Sequence, residues 1–312
     1  MQNVLILSAG VTTTWHLAQV ARRYFGGDIR LHLCDINPRE LVAAATMADC
    51  YHRVPFLTDP GYEDAICRIL QEHHMDVIVP LIDQDLFTWA CDAPRLMELG
   101  VRSTAPRRGT VKLLSDKQAM ARFLTDHDLP TPPLVPPEAV EPGRAYVIKK
   151  KVGCGSHDMR VATGGEEFSL SGDEILQEKC DGDGVEITAE IFNAQGKLRV
   201  YCRERVMTKA GVCTKMVPRH EPEIETYIAR LVQLLPCPTA FCAQFMRHRG
   251  QWNMIDCNLR MGAGTALASA AGFQLTRAFW ADLCDRPVPD KWLQPDPAVK
   301  AVLRVYQEVV IR

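Results

Sequence analysis

The chain has 312 residues, 47% hydrophobic and 24% charged, a soluble globular composition long enough for about two domain cores, which excludes a disordered or fibrous chain. Lysine plus arginine number 36 against 38 acids, so the net charge of −2 gives no field that would draw in a polyanion; no nucleic acid and no anionic membrane is expected as partner. No apolar run is long enough for a membrane span, and residues 1–10 lack the basic start and long apolar stretch of a secretory leader, so a cytoplasmic location is expected.

Residues 4–7 (VLIL) read as a strand, 14–24 as a helix and 29–35 (IRLHLCD) as a second strand, a βαβ opening. A helix over 62–73 precedes 76–83 (DVIVPLID), which is apolar on both faces as a central parallel strand should be. A doubly wound parallel sheet follows, with ligands expected beyond the carboxyl ends of its strands at 8–10, 35–37 and 80–85. Six prolines between 130 and 142 forbid a helix or central strand and make that segment a connector. After it, antiparallel strands are expected at AYVIKK, MRVA, EILQEKC, VEITAEIF and KLRVYCRERVM, with glycine turns at VGCGSHD and DGDG. A hairpin from FCAQFMRH to QWNMIDCNLR, a small-residue loop over 261–272 and a closing helical region complete the chain. The 12 cysteines are scattered with no C-x-x-C pair, which disfavours zinc and suits buried free thiols in a reducing compartment.

Three places carry chemistry. Gly153 and Gly155 let the backbone curl after the strand at 145–150, with Ser156 beside them, and such a loop can close over phosphates with its N–H groups. Alternation puts Lys149 and Lys151 on one face of that strand and Lys150 on the other; a glycine hairpin with solvated lysines is the plainer reading. In the final hairpin, a tight turn near Arg249 and Gly250 pairs positions whose numbers sum to about 500, which sets Gln244 opposite Asp256 and places Asn258 and Arg260 on the same face. One carboxylate and two amide oxygens suit Mg²⁺ held partly through substrate phosphates, against the alternative of a solvated polar face. Upstream, Glu186 and Glu190 share one face, and Arg199, Arg203 and Arg205 share a face of the next strand; cross-strand ion pairs account for much of this. The alternative gives Glu186 a ribose hydroxyl and the arginines a planar anion.

The succession S115-D116-K117, V147-I148-K149 with G153-C154-G155-S156, I175-L176-Q177-E178 with E186, then Q244 and I255-D256-C257-N258-L259-R260 resembles the ATP-grasp superfamily. The likeness is greatest to carbamoyl-phosphate-synthase-like carboxylate–amine ligases and extends over nearly the whole chain. It implies a pre-ATP-grasp α/β domain with a doubly wound parallel sheet (1–108), then a clamp of two β-rich subdomains, small (109–180) and large (181–312). It also implies ATP and Mg²⁺ as cofactors, an acyl-phosphate intermediate, and amide formation from small-molecule carboxylate and amine substrates, with a homodimer as a candidate assembly. By position, the resemblance makes Lys117 and Lys149 phosphate ligands, Gly155 and Ser156 part of a phosphate-covering loop, and Gln177, Glu178 and Cys180 the adenine hinge. Glu186 would hold ribose, Gln244, Asp256 and Asn258 the metal, and Arg260 the charge of the transferring phosphoryl group. Arg203, Arg205, Lys209, Gly262 and Gly264 are candidates for the acceptor pocket.

Three positions depart from that pattern: aspartate 256 stands where the family usually has glutamate, Lys150 and Lys151 follow the strand lysine where proline is common, and no amidotransferase or carbamate-handling half follows the clamp. Two rival readings are a nicotinamide-dependent oxidoreductase, from Gly10 and Asp35, and an ATP-binding protein whose clamp no longer turns over. The first fails its fingerprint, since S8-A9-G10-V11-T12-T13-T14 holds one glycine where three are expected.

Overall fold

A computed structural model describes residues 1–153 and 159–311. Strands β1 (Gln2–Ile6), β2 (Ile29–Asp35), β3 (Cys50–Arg53), β4 (Val77–Val79) and β5 (Arg102–Ser103) form a parallel sheet in the order β3-β2-β1-β4-β5. Helices α1 (Thr12–Phe25), α2 (Tyr62–Glu72), α3 (Asp83–Thr88) and α4 (Pro94–Leu99) connect them. Val4, Leu5 and Ile6 are wholly buried, as the central position of β1 requires. The strand expected over 76–83 is shorter: β4 stops at Val79, because Pro80 has no N–H for the ladder and Asp83 opens α3. Strands β3 and β5 were not anticipated; they are short, and their partly exposed residues carry no periodic apolar signal.

The strand ends of this sheet bind one another. Ser8 Oγ and Tyr62 OH donate to the two oxygens of Asp85, each at 2.7 Å. Asp35 accepts from Gly10 N at 2.7 Å and from Asn37 N and Nδ2 at 3.0 and 2.8 Å. A Cβ at residue 10 would stand 3.0 Å from Asp35 Oδ2, which accounts for the glycine. The Asp35 carboxylate is thus committed within the protein, and the dinucleotide reading loses its ribose acceptor.

Where β2 and β3 meet the end of α2, the rings of His32, His52 and His73 lie 4.7 to 5.3 Å apart between centroids, with His32 Nδ1 3.0 Å from His52 Nε2. Burial, reinforced by the neighbouring imidazoles, holds His32 down at about 4 and lowers His52. A lowered folded value means that the unfolded chain takes up the proton first, so stability is full above about pH 6.5 and is lost as pH falls towards 4. Tm is expected to drop over that window, with a shallower slope for His32→Gln; parallel curves for the two proteins would contradict this.

Helices α5 (Arg108–Ser115) and α6 (Lys117–Asp126) follow, Asp116 capping α6 by accepting from Gln118 N and Ala119 N. The proline-rich connector contributes one isolated bridge, Leu134 to Gln177. A small antiparallel sheet has the order β7-β6-β8, from β6 (Ala145–Lys150), β7 (Arg160–Thr163) and β8 (Glu174–Glu178). A larger one comprises β9 (Glu186–Ala194), β10 (Lys197–Lys209), β11 (Val212–Arg219), β12 (Ala240–His248), β13 (Gln251–Asn258) and β14 (Val302–Leu303), in the order β13-β12-β9-β10-β11-β14.

Period two sorts the faces of this larger sheet. Ile187, Ala189, Ile191, Phe241, Ala243 and Phe245 pack on α7 (Pro222–Leu234), α5 and α6. The alternate residues, Glu186, Thr188 and Glu190, point to the opposite face. At one end of that face Phe192, Tyr201 and Met216 meet α8 (Thr265–Ala270), α9 (Leu275–Leu283) and α1 in one core. Helix α8 lies in the segment read as a small-residue loop; between its glycines, the run TALASA is rich in alanine, the best helix former. No described helix is long and apolar enough to cross a membrane.

Candidate active site

The turn of the β12–β13 hairpin is formed by Arg249 and Gly250, with φ of 51° and 80°, the left-handed pair of a tight hairpin turn. Gln244 pairs with Asp256 and Cys242 with Asn258, as alternation predicts. Between Gln244 and Phe245 the register shifts, leaving Ile255 as the extra residue of a bulge. Asn258 Nδ2 donates to Asp256 Oδ2 and Arg260 Nη2 to Asn258 Oδ1, both at 3.3 Å, so the three side chains form one row. Arg260 Nε donates to Asp83 Oδ1 of α3 at 2.8 Å, tying the row to the N-terminal sheet.

Two lysines converge on this row from other segments. Lys149 of β6 donates to the carbonyl of Ile255 at 3.3 Å, the oxygen at the bulge. Lys117, opening α6, stands 3.9 Å from Asp256 Oδ1 and donates to Gly153 O at 2.8 Å. Burial drives the Lys149 amine down to about 8, while Asp256 pulls it back up. An anionic ligand would hold it charged. Glu186 is raised, by burial first, against the opposing pull of Arg205, whose Nε lies 3.1 Å away.

The donor set bears on magnesium. Asp256, Asn258 and Gln244 offer one carboxylate and two amide oxygens, hard donors of the right kind. No group of three His, Cys, Asp or Glu able to hold a metal occurs among the described residues. The side chains therefore fit a cation that arrives bound to phosphates, with Lys117 and Arg260 flanking the remaining charge, rather than one caged by protein alone.

The hinge differs from expectation. Gln177 donates its amide to Pro132 O at 2.8 Å and is buried, while the Glu178 carboxylate accepts from Arg144 at 2.7 Å, His248 at 2.9 Å and Arg249 at 2.8 Å. Both side chains are used within the protein, which leaves only backbone there to meet a base. Cys180 is half-buried near Lys149, and burial pushes its thiol up to about 11. Gly155 and Ser156 lie outside the described residues. Lys151 does not join Lys149: β6 ends at Lys150, alternation ends with it, and the Lys151 amine donates to Gly172 O at 2.8 Å.

The acceptor candidates separate. Arg203 Nε and Nη2 donate to Glu190 Oε1 at 3.1 and 2.8 Å, and Thr265 Oγ1 donates to Glu190 Oε2 at 2.8 Å, all buried. Arg203 Nη1 is buried without a hydrogen-bond partner among the described residues. Gly264 packs on this guanidinium: a Cβ there would fall 1.8 Å from Nη2, while one on Gly262 would meet Cys242 Sγ at 3.4 Å. Arg205 pairs with Glu186 and donates to Gly211 O at 2.9 Å. Lys209 is exposed at the far end of β10, its amine 5.3 Å from the Tyr306 ring centroid; register shifts after Arg205 and Met207 break its alternation with the arginines. Arg199 pairs with Asp290 instead. Sequence reasoning missed Asp83, Arg144 and His248, whose partners lie on other elements and leave no local pattern.

An ATP-grasp domain model matches residues 114–264 and a PylC-like, N-terminal domain model matches residues 4–104. No curated protein sequence matches the chain. Pyruvate carboxylase from Rhizobium etli superposes with a TM-score of 0.73 at 14% identity, over 95% of this chain and 30% of that one. L-amino acid ligase from Bacillus licheniformis gives 0.73 at 13% identity, over 95% and 78%. The biotin carboxylase domain of Hydrogenobacter thermophilus 2-oxoglutarate carboxylase, a dimer in complex with MgADP, ADP and bicarbonate, gives 0.69 at 14%, over 88% and 68%. At such identities the structural likeness speaks for the fold. The two domain matches, which together span most of the chain in this order, establish that the chain belongs to the ATP-grasp superfamily, with a PylC-like domain ahead of the clamp.

Proposed function

We propose that the protein is an ATP-dependent carboxylate–amine ligase that forms an amide through an acyl phosphate and releases ADP and phosphate, acting on small amino-acid-like substrates. The observation that carries this reading is the convergence of Lys117, Lys149, Asp256, Asn258 and Arg260, from three separate segments, on one patch of the hairpin. Residues 1–108, 109–180 and 181–312 then act as the pre-ATP-grasp domain, the small subdomain and the large subdomain. All cysteines among the described residues are free thiols, which supports a reducing, cytoplasmic setting.

In this mechanism ATP lies between the small and large sheets, with Lys117 and Lys149 on its phosphates and Glu186 towards ribose. Gln244, Asp256 and Asn258 would hold Mg²⁺, which when bound offsets phosphate charge. Arg260 neutralises the phosphoryl group in transfer, held in place by Asp83 and Asn258. The substrate carboxylate attacks the γ-phosphorus in line, and the amine then displaces phosphate from the acyl carbon. Arg203 and Arg205, already balanced by Glu190 and Glu186, would flank the acceptor carboxyl group on the side of the Gly262 and Gly264 loop, apart from the body of the substrate; Lys209 is remote from them.

Purified protein with Mg-ATP and a panel of amino acids and short carboxylic acids is expected to release ADP and orthophosphate, and Lys149→Ala to abolish that release. AMP and pyrophosphate as products would instead mean adenylation. Nucleotide binding without any turnover would mean a clamp that no longer catalyses.

A further inference from the structure

Beside the phosphate end of the site lies a cavity of about 320 Å³. Its rim is shared with the site, through Lys117, Asp256 and Asn258. The rest of its lining includes four apolar side chains, Phe87 of α3, Val111 and Leu114 of α5, and Leu259 just after β13. No residue of the hinge, from Ile175 to Glu186, lines it, so it is not the slot for the base. A triphosphate with a hydrated cation needs donors and charge, which the rim supplies; it gains nothing from a wall of valine, leucine and phenylalanine. An apolar group placed there would cover the exposed ring of Phe87 and extend the core to which Val111, Leu114 and Leu259 belong.

The charges around the cavity narrow the class further. Its three carboxylates are already engaged: Asp83 by Arg260, Asp116 by the N–H groups of Gln118 and Ala119, and Asp256 by Asn258 and Lys117. Lys112 also lines it. A cationic side chain would meet a lysine and no uncommitted acid. The ring of Phe87, 44% exposed, stands with the Arg108 guanidinium 5.2 Å from its centroid, and shares α3 with Asp83. One short helix thus supplies both a wall of the cavity and the partner of Arg260.

We propose that this cavity receives the body of the carboxylate substrate, and that the substrate is an acid with an uncharged apolar chain or ring, its carboxyl group at the Asp256–Asn258 rim. This rests on the ligase reading and adds the substrate class to it. In the first step a carboxylate oxygen bonds to the γ-phosphorus while the bond from that phosphorus to the bridging oxygen breaks, ADP leaving with the electron pair.

Hydroxylamine tests this without knowledge of the natural amine: its nitrogen attacks the acyl carbon, phosphate leaves, the nitrogen gives up a proton to solvent, and a hydroxamate accumulates. The full chain is assayed with Mg-ATP, hydroxylamine and two series of acids, one of increasing aliphatic length ending in a phenyl-bearing acid, the other of the same sizes bearing amide or amine groups. The KM of the apolar series is expected to fall about fourfold per added methylene until the cavity is full. Phe87→Ala is expected to raise KM for the longer apolar acids about tenfold, with the KM for ATP unmoved. Gln84→Trp, at an exposed position on the cavity wall, is expected to shift the optimum to shorter acids. Hydroxamate formed equally from polar and apolar acids, or a chain-length profile that neither variant changes, would overturn the substrate class while leaving the ligase standing. Absence of ADP release with every acid would overturn both.

Discussion

Asp256→Ala is expected to reduce ADP release about a hundredfold to a thousandfold, while Tm stays within a degree or two of the parent. The activity loss follows from removing the single carboxylate in the row of Gln244, Asp256 and Asn258, where charge must be met as the phosphoryl group transfers. Stability is spared because Asp256 is not deeply buried, its side chain being 30% exposed, and its pair with Lys117 is long at 3.9 Å; pairs of this kind contribute about 0 to 1 kcal/mol. Loss of Asp256 also removes the charge that supports protonated Lys149, so nucleotide binding weakens along with turnover. Asp256→Glu separates charge from arm length and is expected to retain activity, because the bulge at Ile255 leaves the strand able to adjust. An alanine variant as active as the parent would remove the hairpin from the chemistry.

Arg203→Met is expected to cost about 3 to 5 kcal/mol of stability. Glu190 has no exposed surface, and without Arg203 its charge would keep only the Thr265 hydroxyl. A loss of that size lowers Tm by about 5 to 8 °C in a protein of this length. Replacing both partners at once, Glu190→Leu with Arg203→Met, is expected to recover much of it, since no buried charge is then stranded. Gly264→Ala is expected to act on the same unit, because its methyl would need the space of Arg203 Nη2. Chemical denaturation of the four proteins decides the matter; a single variant within 1 kcal/mol of the parent would show that the pair is not held as described.

Much of the site was legible in the sequence because it lies on strands. Alternation along β13 places Asp256 and Asn258 on one face, and the bulge at Ile255 brings Gln244 of β12 opposite Asp256, a shift that a two-residue turn alone would not give. The same rule places Glu186 opposite the arginines of β10. It failed where the strand stopped or slipped: Lys151 lies one residue past the end of β6, and Lys209 lies beyond two register shifts. Glu178 shows a different failure. Its face was predictable, but not that Arg144, from a turn, and His248 and Arg249, from the hairpin end, would close on it from three directions. Helix α8 was missed because flanking glycines outweighed the alanines between them.

The ion pair between Arg260 and Asp83 bears on how far this chain is modular. Asp83 comes from the first hundred residues and Arg260 from the last sixty, and near the other end of the same seam Trp280 donates to Leu17 O at 3.0 Å within a shared apolar core. A fragment cut after residue 108 would expose that core and leave the Arg260 guanidinium without its carboxylate partner. The opening domain is therefore not an exchangeable cassette, and descent with this fold should have altered both halves in concert.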